Sequence, residues 1–512
     1  MKKGLMRKTV KEQILQLFMT LLEAHKEMQI HLQKKDYAKV STVLADCQDG
    51  AILIGETIDQ FEPEQEQIVH ELEKYCEQLY HINVKLEQAD LLDSREIRKE
   101  LDGQIRSICS AVKDNIKVTW KVVFFPYKAS MWTSLASIWK AAQADTECEA
   151  KVVVIPYYTL DSDGNKTKLN YEASLFPADV PIVHYSEYHV EQEHPDMIFI
   201  HNPYDDMNNV TRVPEQYYSY NLKPYTEQLI YSPYGMMGYY SPKNGAFMCN
   251  TNGAHIADKV LVQSARVKQI YIDHQVERDK LIALGSPKVD AIVENLKQPV
   301  TCPEDWVKKL QGRKVFLLNT HLSYFIKGYF YKLKYPDRND YARWFHEQIF
   351  DQLLNREGCA LIWRPHPLLK SMLESRNLYS TLEFVGELER MIQESENSVI
   401  DRNGDYNIAF QLSDALISTY SSIIPEYMIS GKPIYIYERR LNPENCKNSP
   451  VDYTNLYHKA TAGEEQKFPK FVQMVLDGED PMKEIRMADV HKAFSNLEGT
   501  IGKNIYELLK YQ

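Results

Sequence analysis

Apolar residues in the first part of the chain recur every three or four positions, which is the spacing of an amphipathic helix. In the first stretch these positions are Leu5, Val10, Ile14, Leu15, Phe18, Leu21 and Leu22. Turn-forming and capping residues interrupt the pattern around Pro63 and Asp93. Further helices are expected near residues 37–58, 64–86 and 94–112. The pattern predicts an all-α hairpin or bundle over residues 1–116.

Short apolar runs replace this periodicity after residue 116. In residues 117–300 they lie at 121–125, 150–155, 197–200 and 260–262, with helical stretches such as 132–142 and 265–271. In residues 301–445 they lie at 315–318, 360–363, 415–417 and 433–436, with a helix at 341–354. Alternation of this kind indicates parallel sheets covered by helices on both faces.

We therefore predict an α/β protein with two Rossmann-like domains and a cleft between them. The predicted boundaries are a helical arm at 1–116, domains at 117–300 and 301–445, and a helical tail at 446–512. Ligands of open parallel sheets bind at the carboxyl ends of the strands, so the functional residues are expected there.

Composition and charge exclude several classes of protein. The net charge of −11 argues against a dedicated nucleic-acid binder. The eight cysteines show no CxxC spacing, which offers neither a zinc site nor a disulfide framework. The sequence shows no signal peptide and no run of about 20 apolar residues, so we expect a cytoplasmic protein.

The helical arm allows two interpretations. Packing or homo-oligomerisation through residues 1–116 is the simpler one. The other is peripheral contact with an anionic membrane, steered by basic residues of the first helix. Those residues are Lys2, Lys3, Arg7, Lys8 and Lys11.

A cluster of hydroxyl residues follows one of the predicted strands of the second domain. Its members are Ser418, Thr419, Ser421 and Ser422. Hydroxyls beside free backbone N–H groups at a helix start can bind phosphate, although one serine could serve only as a helix cap. Glu426 lies about one turn further on and is a candidate ligand of a ribose.

Two other strand ends carry candidate residues. Arg364 and His366 alternate with prolines in the sequence Arg-Pro-His-Pro, which holds the imidazole in a rigid turn. Arginine and histidine both donate hydrogen bonds to a diphosphate. Thr320 follows the first strand of the second domain and is a weaker candidate, because such residues are common in loops. Dehydrogenase, P-loop, HExxH and GxSxG fingerprints are absent from the sequence.

Together these residues resemble the CDP-glycerol glycerophosphotransferase family. The resemblance rests on Arg364-Pro365-His366-Pro367, on Ser418-Thr419-Tyr420-Ser421-Ser422, on Glu426 and on Gly431-Lys432-Pro433-Ile434-Tyr435-Ile436-Tyr437. It is weaker in the first domain, where Gln263-Ser264 and Leu284-Gly285-Ser286-Pro287-Lys288 carry it. The family has the paired-Rossmann GT-B fold.

The chain departs from the family pattern at three positions. Thr419 and Glu426 each stand where the family usually has aspartate. Tyr234 stands where the family has the histidine thought to act as base. An unperturbed tyrosine, with a pKa of about 10, is a poor base near neutral pH. His201 is the predicted substitute, ahead of His184 and His255.

The resemblance implies a transferase of teichoic-acid, capsule or other cell-surface polymer synthesis. CDP-glycerol, or a similar CDP-activated polyol, would bind the second domain, with the first domain on the acceptor side. A hydroxyl of a polymeric or lipid-linked acceptor would attack the glycerol-bearing phosphorus, and CMP would leave. Neither a cofactor nor a metal ion is expected.

Two other functions remain open at this point. One is a nucleotide-sugar glycosyltransferase or epimerase on the same fold, against which the Arg-x-His-Pro motif speaks. The other is a non-catalytic scaffold that acts through its helical arm, because Thr419 and Tyr234 are changes that a decayed site would show.

Overall fold

The computed structural model describes residues 6–87, 93–161, 163–326, 338–366, 368–404, 406–419, 421–437, 443–458 and 466–511. The chain forms two compact units. The first contains Met1–Val122, Gln143–Ala150 and His194–Asp196, and the second contains Val123–Ala142, Lys151–Glu193 and Met197–Gln512.

The first unit is built on four helices, in agreement with the apolar periodicity. They are α1 (Lys8–Gln33), α2 (Tyr37–Phe61), α3 (Glu66–Glu87) and α4 (Ser94–Asn115). Each helix packs against the next, and α1 also packs against α4, so the four close into a bundle. Its interior contains the apolar residues of the periodic pattern, such as Phe18, Ile54 and Ile105. Strand β1 (Met6–Arg7) pairs with the start of β2 (Val118–Phe125).

The basic residues at the start of α1 make contacts within their own unit. Arg7 donates to a backbone oxygen, and Lys11 donates to two backbone oxygens at the end of α4, 2.8 and 2.7 Å away. The ammonium of Lys8 lies 4.3 Å from the centroid of the Trp120 ring. None of the described helices combines the length and apolar character that a membrane span requires. Outside the described residues lie Lys2 and Lys3.

The first large sheet contains a strand at each of the four apolar runs that the sequence places in residues 117–300. After β2 the strands are β3 (Cys148–Val154), β4 (Tyr157–Leu160), β5 (Lys166–Asn170), β6 (Ile182–His184), β7 (Met197–Ile200), β8 (Thr211–Arg212), β9 (Gln228–Tyr231), β10 (Lys259–Leu261) and β11 (Leu281–Ile282). The order in the large sheet is β11-β10-β9-β7-β2-β3-β6, while β5, β4 and β8 form a small sheet of their own.

Helices connect these strands. They are α5 (Ala136–Ala144), α6 (Val190–Glu193), α7 (Ser219–Leu222), α8 (Pro242–Cys249), α9 (Asn252–Ile256), α10 (Ala265–Asp273) and α11 (Pro287–Lys297).

The second large sheet is parallel throughout. Its strands are β12 (Lys314–Thr320), β13 (Cys359–Pro365), β14 (Ser398–Ile400), β15 (Ala415–Ser418), β16 (Ile434–Ile436) and β17 (Tyr457–His458), in the order β14-β13-β12-β15-β16-β17. The strand order reverses between β12 and β15, and this is the point at which such sheets bind ligands. The runs of buried residues in β12, β13 and β15 explain why these strands read as continuous apolar segments.

Eleven further helices of the described residues accompany the second large sheet and the residues that follow it. They are α12 (Glu304–Leu310), α13 (Ser323–Ile326), α14 (Arg338–Leu353), α15 (Leu369–Ser375), α16 (Tyr379–Glu394), α17 (Asn407–Leu412), α18 (Ile423–Met428), α19 (Pro443–Asn448), α20 (Lys467–Leu476), α21 (Lys483–Ala493) and α22 (Ile501–Lys510).

We call the residues of the second unit that precede α12 its first half, and those from α12 onward its second half. The last helix, α22, packs against the first half. Asp290 of α11 accepts hydrogen bonds from the backbone N–H groups of Ile501 (3.0 Å) and Gly502 (2.8 Å), and so caps α22. A Cβ atom on Gly502 would lie 2.2 Å from the backbone carbon of Ser137, which leaves no room for a side chain. The C-terminal segment therefore joins the two halves through close backbone packing.

Two histidines are buried as neutral rings, His201 just after β7 and His346 on α14. Burial lowers the pKa of His201 to about 3 and that of His346 to about 4. His346 Nδ1 donates to the Ala342 carbonyl oxygen (2.7 Å), so its Nε2 accepts from the Thr320 hydroxyl (3.2 Å). Removing such a ring from water favours its uncharged form.

We expect Gly502→Ala to destabilise the protein, because the new methyl group meets backbone atoms. Overpacking of this kind costs about 1–3 kcal/mol. Gly386→Ala is the matched control, since Gly386 is also helical and has open space around its Cβ position. There the substitution should stabilise the helix by up to about 1 kcal/mol. Equal midpoints of urea unfolding for the two variants would contradict the close packing of α22.

Stability is expected to fall as the pH drops below about 6.5, the ordinary pKa of histidine. His201 and His346 stay neutral in the folded chain and take up protons when it unfolds. Each contributes about 1.4 kcal/mol per pH unit until the pH reaches its folded pKa. His346→Gln should therefore flatten the dependence of unfolding on pH, and His189→Gln, at an exposed position, is the control for the loss of a histidine. An unchanged slope in His346→Gln would exclude a buried neutral ring.

Candidate functional site

The candidate residues of the second half converge at the carboxyl edge of its sheet. Strand β12 lies between β13 and β15, and Asn319 is in register with Arg364 on one side and Ser418 on the other. The loops that follow these three strands are therefore neighbours. The turn that contains His366 (the imidazole turn) and the turn that contains Ser421 and Ser422 (the hydroxyl-rich turn) lie on the same edge of the sheet. Only strand β12 separates the strands that precede them.

Asn319 ties the three strand ends together. Its side-chain amide donates to the Arg364 carbonyl oxygen (3.3 Å), and its side-chain oxygen lies 3.5 Å from the Ser418 hydroxyl. The Ser418 hydroxyl also donates to the Thr419 carbonyl oxygen (2.8 Å). The Thr419 hydroxyl in turn accepts from the backbone N–H of His321 (2.9 Å). Bonds of this kind fix the loops with respect to one another before any ligand binds.

The Arg364 guanidinium is committed to the fold. It is 6% exposed, forms an ion pair with Asp401 and donates to the Asn403 carbonyl oxygen (3.0 Å). Asp401 follows β14, so the pair locks the loop after β14 against the end of β13. Arg364 thus holds the His366 turn in place, and its charge is already balanced by a carboxylate.

His366 presents one ring nitrogen for ligand binding. Its Nδ1 accepts a hydrogen bond from the Leu368 backbone N–H (3.1 Å), so the proton of the neutral ring is on Nε2. Burial, and to a lesser degree the neighbouring His321, lower the pKa of His366. The centroids of these two rings are 6.5 Å apart. His366 is therefore a neutral donor near pH 7. Pro367, the second proline of the motif, lies outside the described residues.

A pocket of about 180 Å³ opens beside His366. Leu369 and Val385 give it an apolar wall. Glu389 forms ion pairs at its rim with Lys370 (2.6 Å) and Arg402 (2.9 Å). The cations at the rim are thus partly neutralised.

The predicted hydroxyls divide into two groups. Those of Thr320, Ser418 and Thr419 are on fully buried residues and bond within the fold. Ser421 is partly exposed, and its hydroxyl accepts from the Ile423 N–H (3.4 Å), while Ser422 is exposed. Because α18 has only six residues, its dipole adds little, and these last two hydroxyls are the ones that can meet a phosphate. Tyr420 lies outside the described residues.

Glu426 is paired with a lysine from the other half. Lys288, near the start of α11, donates to Glu426 Oε1 at 2.5 Å. The Lys288 and Glu426 side chains are only 12% and 4% exposed. The predicted ribose ligand is therefore a buried carboxylate whose charge is balanced from the first half.

The predicted acceptor side contains a group of tyrosines around His201. His201 Nε2 accepts from the Tyr127 backbone N–H (3.1 Å), and its Nδ1 lies 3.3 Å from the Ser134 hydroxyl. Tyr234 has its ring centroid 6.4 Å from that of His201, and burial raises the pKa of its hydroxyl. A base must reach the proton that it removes. With both nitrogens engaged inside the fold, His201 is better suited to supporting Tyr127 and Tyr234.

Sequence reasoning overlooked four residues that the structure brings into the site. His321 faces His366, Asn319 joins the strand ends, Asp401 balances Arg364, and Lys288 balances Glu426. Asn319 and His321 flank Thr320 in the sequence, and Lys288 belongs to a segment that carries the family resemblance. None of these three was assigned a role in the site. Register and ion pairing, which the sequence does not show, bring them together. Among the described residues, no cluster of three or more His, Cys, Asp or Glu side chains is arranged to hold a metal ion.

Similarity to solved structures concerns the fold. A putative UDP-N-acetylglucosamine 2-epimerase from Listeria monocytogenes is 13% identical, with a TM-score of 0.51 over 77% of this chain and 96% of that chain. The wall teichoic acid polymerase TagF is 13% identical, with a TM-score of 0.46 over 86% of this chain and 97% of that chain. Likeness to the Listeria protein confirms the predicted fold class. Among curated proteins, none matches the sequence.

The family is established by a match to its sequence model. Residues 249–509, just over half of the chain, match the model described as CDP-Glycerol:Poly(glycerophosphate) glycerophosphotransferase. This range contains the Arg-x-His-Pro turn, the hydroxyl-rich turn and Glu426. The chain therefore belongs to the CDP-glycerol:poly(glycerophosphate) glycerophosphotransferase family and is a transferase, as its motifs predicted.

Proposed function

We propose that this transferase moves a glycerol-phosphate, or a related polyol-phosphate, from a CDP-activated donor to a hydroxyl acceptor in teichoic-acid, capsule or other cell-surface polymer synthesis. The observation that carries the proposal is the register of Asn319 with Arg364 and Ser418. It brings a neutral imidazole and two accessible hydroxyls to one edge of the sheet, within the part of the chain that matches the family.

The donor is proposed to lie along that edge. His366 Nε2–H donates to a diphosphate oxygen, and the hydroxyls of Ser421 and Ser422 donate from the neighbouring turn. Glu426 accepts from the ribose hydroxyls. Arg364 contributes indirectly, because its pair with Asp401 keeps the His366 turn rigid. This changes the role first expected for Arg364, that of direct contact with the diphosphate.

The reaction is a displacement at phosphorus. The acceptor oxygen forms a bond to the phosphorus that carries the glycerol, and the bond from that phosphorus to the CMP oxygen breaks. The hydroxyl proton of the acceptor is released to solvent, so the products are the extended acceptor, CMP and a proton. Negative charge grows on the departing CMP, where a donor such as His366 Nε2–H stabilises it. Positioning of the two reactants and stabilisation of the developing charge are the main contributions asked of the protein in such a displacement. We accordingly propose that His201 and Tyr234 shape the acceptor side.

The remaining proposals concern partners and location. A lipid-linked or polymeric acceptor would reach the chain at the inner face of the cytoplasmic membrane, with peripheral contact and a cytoplasmic body. The helices of the arm are amphipathic, and we propose that the arm mediates either self-association or peripheral contact with the membrane. Nucleic acid is not proposed as a partner, because the chain carries a net charge of −11.

His366→Ala is expected to lower CMP release from CDP-glycerol by about 100-fold or more, the usual effect of removing one donor to developing charge. The measurement is CMP production by the purified full chain with a poly(glycerol phosphate) primer. His189→Ala, which alters a half-exposed histidine, is the matched control and should retain activity.

The wild-type chain also tests the competing functions. Turnover of UDP-sugars but not of CDP-glycerol would indicate a nucleotide-sugar transferase. Intact CDP binding without CMP release, with every acceptor tried, would indicate a scaffold. Full activity in His366→Ala would contradict the role of the imidazole turn.

A further inference from the structure

The Lys288–Glu426 ion pair joins the two halves of the second unit at the proposed donor site. Lys288 belongs to α11, which follows the last strand of the first sheet, and Glu426 belongs to α18 after β15. The ammonium and the carboxylate oxygen are 2.5 Å apart, and both side chains are almost completely buried. The carboxylate proposed to bind the donor is thus held by a residue from outside the nucleotide-binding half.

The surroundings of the pair fix the lysine as well. The Lys288 ammonium lies 5.6 Å from the centroid of the Tyr406 ring, which attracts a cation through its π face. Tyr406 stacks on Phe410 with centroids 4.3 Å apart, and Phe410 packs edge-on against Tyr427, the neighbour of Glu426. Lysine, aromatic rings and carboxylate therefore form one packed group.

Burial makes this pair interdependent. A carboxylate taken out of water is costly unless an opposite charge and hydrogen bonds compensate it, and removal of one partner leaves the other uncompensated. Lys288 donates to Oε1, and among the residues that the structure describes no hydrogen bond involves Oε2. A charged oxygen fixed in this way is a suitable acceptor for a vicinal diol.

We propose that Lys288 is the positioning residue of the donor's ribose subsite, so that the second half recognises ribose only while the first half is docked against it. The inference rests on the proposed function and adds the residue that makes donor recognition depend on both halves. Lys288 acts through Glu426, holding the carboxylate in one rotamer. Assembly of the cleft and recognition of the ribose are thereby coupled.

A second ion pair between the halves provides the control. Arg266 of α10 pairs with Asp489 of α21 at 3.3 Å and also donates to the Pro450 carbonyl oxygen (3.1 Å). Like Lys288, it supplies a cation from the first half to a largely buried carboxylate of the C-terminal part. It is not among the proposed donor-site residues. Loss of Arg266 therefore reports on docking alone.

The test compares the affinities of the full chain for CDP and for 2′,3′-dideoxy-CDP, which lacks both ribose hydroxyls. The ratio is insensitive to the fraction of folded protein. Wild type should prefer CDP by about tenfold to a hundredfold, the range for hydrogen bonds to a charged group. Lys288→Met should reduce the preference to less than about threefold, Lys288→Arg should restore most of it, and Arg266→Met should leave it unchanged.

Three results would overturn the inference, and they can be told apart from failure of the proposed function. An unaltered preference in Lys288→Met would show that Glu426 needs no partner. An equal loss in Arg266→Met would show that docking in general, and not Lys288, is responsible. A wild-type chain that binds CDP and releases CMP but tolerates the dideoxy compound would reject the ribose subsite while the transferase function stands. Absence of CDP binding in the wild type would contradict both.

Discussion

The candidate site depends on the side-by-side arrangement of three parallel strand ends. Asn319 of the middle strand bonds to the Arg364 backbone on one side and approaches the Ser418 hydroxyl on the other. Parallel strands end at the same edge of a sheet, so Arg364 and Ser418, which are far from Asn319 in the sequence, become its neighbours through strand register alone. The Arg364–Asp401 pair extends this order to a fourth strand, β14, which is why the imidazole turn is rigid.

Charge in the site is arranged before a ligand binds. Arg364 and Lys288 are each paired with a carboxylate, and His366 is held in its neutral form by burial and by His321. In the proposed reaction, such a site would hold a diphosphate less by net positive charge than by correctly placed donors. Preorganised donors lose little free energy to reorganisation when charge moves from the acceptor to the departing nucleotide.

The sequence was informative where structure is local. Periodic apolar positions predicted the four helices of the arm, because the pattern follows from which face an element buries. The apolar runs predicted strands β2, β3, β7, β10, β12, β13, β15 and β16 but not strands β6, β9, β11, β14 and β17 of the same sheets. The motifs around His366 and Glu426 identified the family and the edge of the sheet. The sequence does not reveal the roles of residues whose partners lie far away along the chain. Nothing in the sequence indicates that Asp401 neutralises Arg364, that the Thr320 hydroxyl bonds to His346, or that Lys288 holds Glu426.

A crystal structure of the full chain with bound CDP would show directly whether the donor lies at the ends of β13 and β15. We expect a diphosphate oxygen within about 3.2 Å of His366 Nε2, with the hydroxyls of Ser421 and Ser422 on the other side of the diphosphate. We expect the ribose at Glu426. A nucleotide bound away from the ends of β13 and β15, with neither His366 nor the hydroxyl-rich turn in contact with phosphate, would contradict the proposed donor site.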